Sequence, residues 1–213
     1  MRFYTKEVLK DIPSNVTVVA ATKYFGPKEM LELFETGITN FGENRVEALL
    51  EKQEALKDMP ITWHFIGTLQ TKKVRKMIDA IDFLHSLNTF KLAEEINKRR
   101  TSPLKCFIQV NISSEISKHG FEKDEIIPFL ESIKHFTNIK VIGLMGMAEL
   151  TENEDIISQE FQVLNDIQKE IRETLNIDLK DLSIGMSNDY LIAIKHNGTY
   201  LRLGSVLFKK EVS

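Results

Sequence analysis

A lysine and two small-residue turns are the parts of this sequence best suited to joint chemistry. Lys23 closes the run Val16–Ala21 plus Thr22, and the turns are Gly185-Met186-Ser187 and Gly204-Ser205. Counted by two along an extended chain, Thr17, Val19, Ala21 and Lys23 share one face. If that face points inward, the ammonium stands among small residues and loses hydration. Its free amine then becomes a nucleophile toward an aldehyde. The competing reading is a lysine that only snorkels outward at a strand end.

The two turns supply the complement of that amine. Ser187 is placed to cap a short helix, and Gly204-Ser205 precedes a final helical stub. Backbone N–H groups at a helix start, with the Ser187 and Ser205 hydroxyls, would bind a phosphate dianion. Taken singly, each is also compatible with an ordinary turn. An amine beside a phosphate cup suggests a phosphorylated aldehyde. Arg202, two residues before Gly204, faces the same side of its strand. A guanidinium only donates hydrogen bonds, so facing a pyridine nitrogen it would keep that nitrogen unprotonated and the ring a weak electron sink. The alternative is an arginine at the core edge paired with a carboxylate. From the residues alone His64 reads as a buried, hydrogen-bonded histidine and Met145 and Met147 as packing, while Asn44 with Arg45 reads equally as a helix cap. Lys118-His119 sits in a loop and reads as solvated. The five histidines lack metal-ligand spacing, and no Ser-His-Asp order is readable.

Positioning these residues requires a repeating scaffold, and the chain reads as one. Strands are predicted at 16–21, 38–41, 62–66, 83–87, 105–112, 141–145, 182–186 and 200–203. Helices alternate with them at 27–35, 46–56, 71–78, 90–99, 124–135, 156–175 and 189–195. Eight strands alternating with helices favour a parallel sheet, and eight is the number that closes into a (β/α)8 TIM-type barrel. An open doubly wound sheet is the alternative, but the first strand ends in Ala21-Thr22-Lys23-Tyr24, without a glycine fingerprint. Reacting groups of such a barrel sit at the C-terminal ends of its strands, where Lys23, Ser187 and Gly204 fall. Strand eight would close beside strand one and bring the cup to the amine. Residues 1–213 read as a single domain, with one modest helix before the first strand and about ten residues after the last.

Composition narrows the classes. Of the 213 residues 42% are hydrophobic and 28% charged, as in ordinary globular chains. A net charge of −3 gives no field toward nucleic acid or anionic lipid, so neither is an expected partner. The single cysteine, Cys106, lies in an apolar run and reads as a buried small hydrophobe. No leader pattern and no membrane-length apolar run is visible, so a cytoplasmic protein is expected.

At these same residues the sequence resembles the pyridoxal-phosphate homeostasis protein family, whose barrel is similar to the alanine racemase N-terminal domain. The matching blocks are Ala21-Thr22-Lys23, Asn40-Phe41-Gly42-Glu43-Asn44 and Trp63-His64-Phe65-Ile66-Gly67-Thr68-Leu69-Gln70. They continue through Gln109-Val110-Asn111-Ile112, Ser117-Lys118-His119-Gly120-Phe121 and Gly143-Leu144-Met145-Gly146-Met147-Ala148. Leu182 to Asp189 and Arg202-Leu203-Gly204-Ser205 complete the set. The resemblance implies that Lys23 carries pyridoxal 5'-phosphate as a Schiff base. It implies Ser187, Gly204 and Ser205 as the phosphate site and Arg202 as the residue facing the pyridine nitrogen. Asn44, His64 and Met145 look like pocket lining. The N-terminal segment and last helix are shorter than the family usually shows, which leaves the closing seam more exposed.

The function so implied is holding the cofactor and balancing its level, without clear turnover, by a monomer in transient contact with cofactor-dependent apo-enzymes. Lys118, on the loop after strand five, is a candidate amine for release. The rival is an amino-acid racemase, which needs a second base opposite Lys23. In alanine racemase that base is a tyrosine of the partner subunit, and a second domain is present; neither is readable here. A Schiff-base aldolase using Lys23 alone, and an interaction protein signalled by its cofactor, are further alternatives.

Overall fold

A computed structural model describes residues 2–113 and 120–209. Eight parallel strands close into a barrel: β2 (Thr17–Ala21), β3 (Asn40–Glu43), β4 (Thr62–Phe65), β5 (Phe83–Leu87), β6 (Leu104–Gln109), β7 (Ile139–Met145), β8 (Asp181–Ser183) and β9 (Tyr200–Leu203). The last pairs with the first, from Thr17 opposite Tyr200 to Ala20 opposite Leu203. A ninth pairing lies outside the barrel. β1 (Arg2–Phe3) runs antiparallel to β10 (Phe208–Lys209), where a helical stub alone was expected after β9. Only the 3-10 turn Ser205–Leu207 remains of that stub. The Phe208 ring meets Phe25 edge-on at 4.5 Å, so β10 is anchored behind the loop that carries Lys23.

The helices are α1 (Thr5–Lys10), α2 (Pro27–Glu35), α3 (Val46–Ala55), α4 (Val74–Met77), α5 (Phe90–Arg99), α6 (Ile126–Ile133), α7 (Glu154–Leu175) and α8 (Tyr190–Lys195). Pro27 opens α2 at a position where its missing N–H is not needed. Thr89 caps α5 by accepting from Leu92 N, and Asn153 caps α7 by accepting from Asp155 N and Ile156 N. α7 ends on Asn176 in the left-handed conformation.

The main core lies between the outer face of the barrel and the helices. Ala20, Phe41, Phe65, Leu84 and Ile108 of the strands meet Met30, Leu33, Leu49, Ile96 and Phe161 of the helices there. The barrel interior has a different character. A small apolar cluster of Phe83, Phe107 and Met145, backed by Ile142 and Tyr200, shares it with the half-buried Asn40 and the buried His64, His85, Ser183 and Arg202 side chains. Such interiors are more commonly filled by branched aliphatic residues.

Several strands depart from the sequence reading: the fifth ends at Gln109 rather than at residue 112, and the sixth begins at Ile139 rather than at residue 141. The second was expected over 38–41 and instead covers Asn40–Glu43. Gly42 and Glu43 are poor strand formers, but a Cβ on Gly42 would meet Val19 Cγ1 at 2.9 Å, and the Glu43 carboxylate is ion-paired in the buried layer. The seventh ends at Ser183 rather than at residue 186. Gly185 takes φ +85°, which turns the chain out of the sheet. No helix of the described residues is long and apolar enough to cross a membrane.

Candidate functional site

A cavity of about 360 Å³ opens at the C-terminal end of the barrel, across the seam where β9 meets β2. It is lined by Ala21 and Lys23 after β2, by Met186, Ser187 and Asn188 after β8, and by Arg202, Gly204 and Ser205 of β9 and its turn; Tyr24 completes the rim. Ala21 and Lys23 both face it, as the two-residue alternation requires. Thr22, between them, is fully buried on the opposite side, with its hydroxyl donating to Glu43 Oε1 at 2.5 Å.

Lys23 stands exposed in the turn just past β2, its ammonium 4.7 Å from the Tyr24 ring centroid. The burial expected around this amine is therefore not found, because the residue lies beyond the strand over an open mouth. Its backbone is nonetheless fixed. Lys52 of α3 reaches in to donate to the Thr22 carbonyl at 2.7 Å and pairs with the buried Glu43.

The Ser187 hydroxyl does not cap α8, contrary to the expectation from sequence. Asp189 holds the N-cap position, and its Oδ1 accepts from Met186 N at 2.5 Å. Ser187 Oγ instead bridges to the β9 turn and accepts from Gly204 N at 3.1 Å and Val206 N at 3.2 Å. The amides of Ser187, Asn188 and Ser205 make no hydrogen bond among the described residues. A Cβ on Gly204 would have no neighbour nearer than Ala21 Cβ at 3.7 Å, so it would project into free volume. Unpartnered amides around a void beside two hydroxyls suit a tetrahedral anion.

Arg202 forms the other wall. It is buried, with Nη1 donating to Ser183 O at 2.5 Å and Ser183 Oγ at 2.6 Å, and Nη2 to Gly146 O at 2.9 Å. No carboxylate is hydrogen-bonded to it among the described residues. Burial lowers its pKa to about 10, partly offset by the charge of nearby Asp189. Burial pushes the Asp189 carboxyl up in turn.

Three of the expected pocket residues lie elsewhere. His64 is fully buried inside the barrel, bonded to Asn40 and His85. Met145 belongs to the interior cluster with Phe83 and Phe107. Asn44 is exposed after β3 and does not line the cavity. Its backbone abuts Gly67, where a Cβ would lie 2.3 Å from Asn44 O. Ser117, Lys118 and His119 fall outside the described residues. Sequence reading missed Lys52, His85 and Ser183. A histidine centred in the apolar strand Phe-Leu-His-Ser-Leu was the one available signal.

The comparisons with known proteins identify the class of barrel that carries this cavity. The family described as alanine racemase, N-terminal domain, matches residues 6–211. Curated relatives named pyridoxal phosphate homeostasis protein include one from Aquifex aeolicus, 36% identical over 90% of this chain and 85% of its own length. Another, from Pseudomonas aeruginosa, is 33% identical over 92% of this chain and 85% of its own. The chain belongs to the pyridoxal phosphate homeostasis protein family. Among solved structures, PipY of Synechococcus elongatus with pyridoxal phosphate bound superposes with a TM-score of 0.88. It is 27% identical, over 96% of this chain and 97% of that one. Alanine racemase of Corynebacterium glutamicum shares the fold at a TM-score of 0.78 and 12% identity, covering 98% of this chain but 60% of that one.

Proposed function

We propose that this protein binds pyridoxal 5'-phosphate at the seam cavity and buffers its supply. The observation that carries this reading is the convergence of Lys23, Arg202 and the Ser187/Gly204/Ser205 cup on one void. Bound pyridoxal 5'-phosphate supplies an aldehyde that condenses reversibly with an amine, and Lys23 is the amine the cavity offers. The free amides of Ser187, Asn188 and Ser205 receive the phosphate. Arg202 donates to the ring nitrogen and, being always protonated, gives that atom no proton. The ring is then a poor electron sink, which suits storage better than turnover.

Storage also fits what stands around Lys23. Among the described residues the lining holds one hydroxyaryl group, Tyr24, which is 72% exposed and neighbours Lys23 in sequence. Racemisation needs bases on both faces of one carbon, and among the described residues the lining of this cavity offers none opposite Lys23. An exposed amine at an open mouth lets a competing amine approach, as transfer to an apo-enzyme would require. The proposal extends to a cytoplasmic monomer making transient contacts with such enzymes. Mixing the protein with pyridoxal 5'-phosphate should give a visible absorption band, and borohydride should fix the cofactor on the peptide carrying Lys23. A colourless mixture, or a Lys23→Ala variant that is still labelled, would end this reading.

A further inference from the structure

The barrel interior contains a continuous polar path that meets the cavity only at Arg202, its last member. Asn40 Oδ1 lies 2.9 Å from His64 Nε2, His64 Nδ1 2.9 Å from His85 Nε2, and His85 Nδ1 2.7 Å from Ser183 Oγ. Ser183 Oγ then meets Arg202 Nη1. We propose that Asn40, His64, His85 and Ser183 form a one-way hydrogen-bond chain that holds Arg202 in place, making them positioning residues for the cofactor ring. The inference rests on the reading of the cavity given above.

Proton positions follow from the donor inventory, starting at the arginine. Arg202 can only donate, so Ser183 Oγ accepts from it. The buried hydroxyl proton of Ser183 has one remaining partner, His85 Nδ1, and must go there. His85 therefore carries its proton on Nε2 and gives it to His64 Nδ1. His64 in turn carries its proton on Nε2 and gives it to Asn40 Oδ1. That end closes independently, because the Asn40 amide nitrogen is turned to Thr39 Oγ1 at 3.3 Å and leaves the oxygen for His64. Both ends demand the same order.

The order has a mechanical consequence. A serine hydroxyl can rotate, and a rotated proton would face Arg202 and repel it. Here His85 Nδ1 draws the proton away, so a lone pair always faces the guanidinium. With Ser183 O and Gly146 O, this fixes three of the five Arg202 N–H bonds, all on neutral acceptors. The other two, on Nε and Nη2, have no acceptor among the described residues and remain for a ligand. Both rings are also held in place by stacking: His64 lies on Phe83 at 4.4 Å and 9°, and His85 on Phe107 at 4.5 Å and 30°. Burial keeps the two imidazoles neutral, reinforced by Lys105 beside His64 and by His64 and Arg202 beside His85.

Nitrogen NMR of the protein without added cofactor tests the order directly. Both interior histidines should show the Nε2–H tautomer at pH 7, and an Nδ1–H tautomer or an imidazolium at either would overturn the chain. Binding tests the task. His64→Phe keeps the ring stack but leaves the His85 Nε2–H without an acceptor. It should weaken pyridoxal 5'-phosphate binding about tenfold, as loss of one buried hydrogen bond does. Binding of inorganic phosphate, which engages only the cup, should be unchanged. Ser183→Ala should behave alike and serves if the first variant does not fold. Equal loss of both ligands, or loss of neither, would refute positioning. Wild-type protein that binds phosphate but not pyridoxal 5'-phosphate would instead refute the reading of the cavity, leaving the tautomers to be judged separately.

Discussion

Lys52 and Thr22 are thirty residues apart in sequence, yet the ammonium of one donates to the carbonyl of the other at 2.7 Å. That carbonyl belongs to the residue just before Lys23. The bond ties the amine-bearing turn to α3 from behind the strand layer. Its cation also pairs with Glu43, whose second oxygen, Oε2, has no hydrogen-bond partner among the described residues.

Removing Lys52 should therefore be costly. Lys52→Met leaves a buried carboxylate without its cation and takes one of its two donors from the Thr22 carbonyl, which keeps Phe25 N; breaking such a pair costs about 3–5 kcal/mol. Urea denaturation should show a loss of that size. The double variant Glu43→Gln/Lys52→Met removes the unpaired charge and should recover more than about 1 kcal/mol. Labelling of Lys23 by pyridoxal 5'-phosphate and borohydride should be slower in both. A double variant no more stable than the single one would show that the pair is not the source.

Two glycines make opposite predictions from one geometric measure. A Cβ at Gly204 enters empty cavity, so Gly204→Ala should keep its melting temperature and lose phosphate affinity by about tenfold, one blocked donor's worth. A Cβ at Gly67 would sit 2.3 Å from Asn44 O and 2.6 Å from Asn44 Cα, and backbone cannot step aside as a side chain can. Gly67→Ala should destabilise the fold by about 1–3 kcal/mol, the usual cost of overpacking. Calorimetry with phosphate titration on both variants checks the contrast, and a stable Gly67→Ala protein would contradict it.

How much of this was legible beforehand follows from what each feature depends on. Helices α2 and α5 and strands β5 and β9 were readable to the residue, because period and caps coincide there: Pro27 opens one helix and Thr89 caps another. The (β/α)8 closure was legible from the count of eight alternating strands and from the missing glycine fingerprint after the first of them. Glu43 as a strand residue was not legible, since it needs a lysine nine positions on to pair with it in the buried layer. Ser187 does not cap α8 because Asp189 holds the N-cap position, without a side-chain cap bond, while its carboxylate closes the preceding turn onto Met186 N. Lys23, Arg202 and Gly204 could be placed on one cavity because strand alternation decides which side chains share a face and closure sets the last strand beside the first. The His64–His85 contact spans 21 residues and two strands, and register across strands is not written in either segment alone.

Cys106 offers a chemical test of the buried layer. It is fully buried on β6, and burial pushes its thiol up well above the ordinary range, so no thiolate is available. A thiol reagent such as dithionitrobenzoate should not react with the folded protein at pH 8. It should react fully once denaturant is added, with a midpoint matching the loss of helical circular dichroism. Rapid labelling in native buffer would mean that β6 opens locally.

The interior histidines set a direction for the pH dependence of stability. In the unfolded chain each takes up a proton as pH falls through its ordinary value of 6.5. In the folded protein His64 stays neutral down to about 3, chiefly through burial and secondarily through Lys105, and burial likewise holds His85 far below its ordinary value. Below pH 6.5 the unfolded state thus binds more protons than the native state, and stability rises with pH. The contribution is fully present above 6.5 and is lost as pH falls toward 3. Each histidine supplies a slope of up to about 1.4 kcal/mol per pH unit. Asp181 and Asp189, whose carboxyls burial raises, act in the opposite sense on their own account. His64→Phe leaves both carboxylates in place, so comparison with it isolates one imidazole. Urea midpoints measured from pH 7 to pH 5 should fall steeply for the wild type and about half as steeply, in histidine terms, for the variant. Parallel curves for the two proteins would mean that His64 is protonated in the fold, and the one-way chain to Arg202 would fail with it.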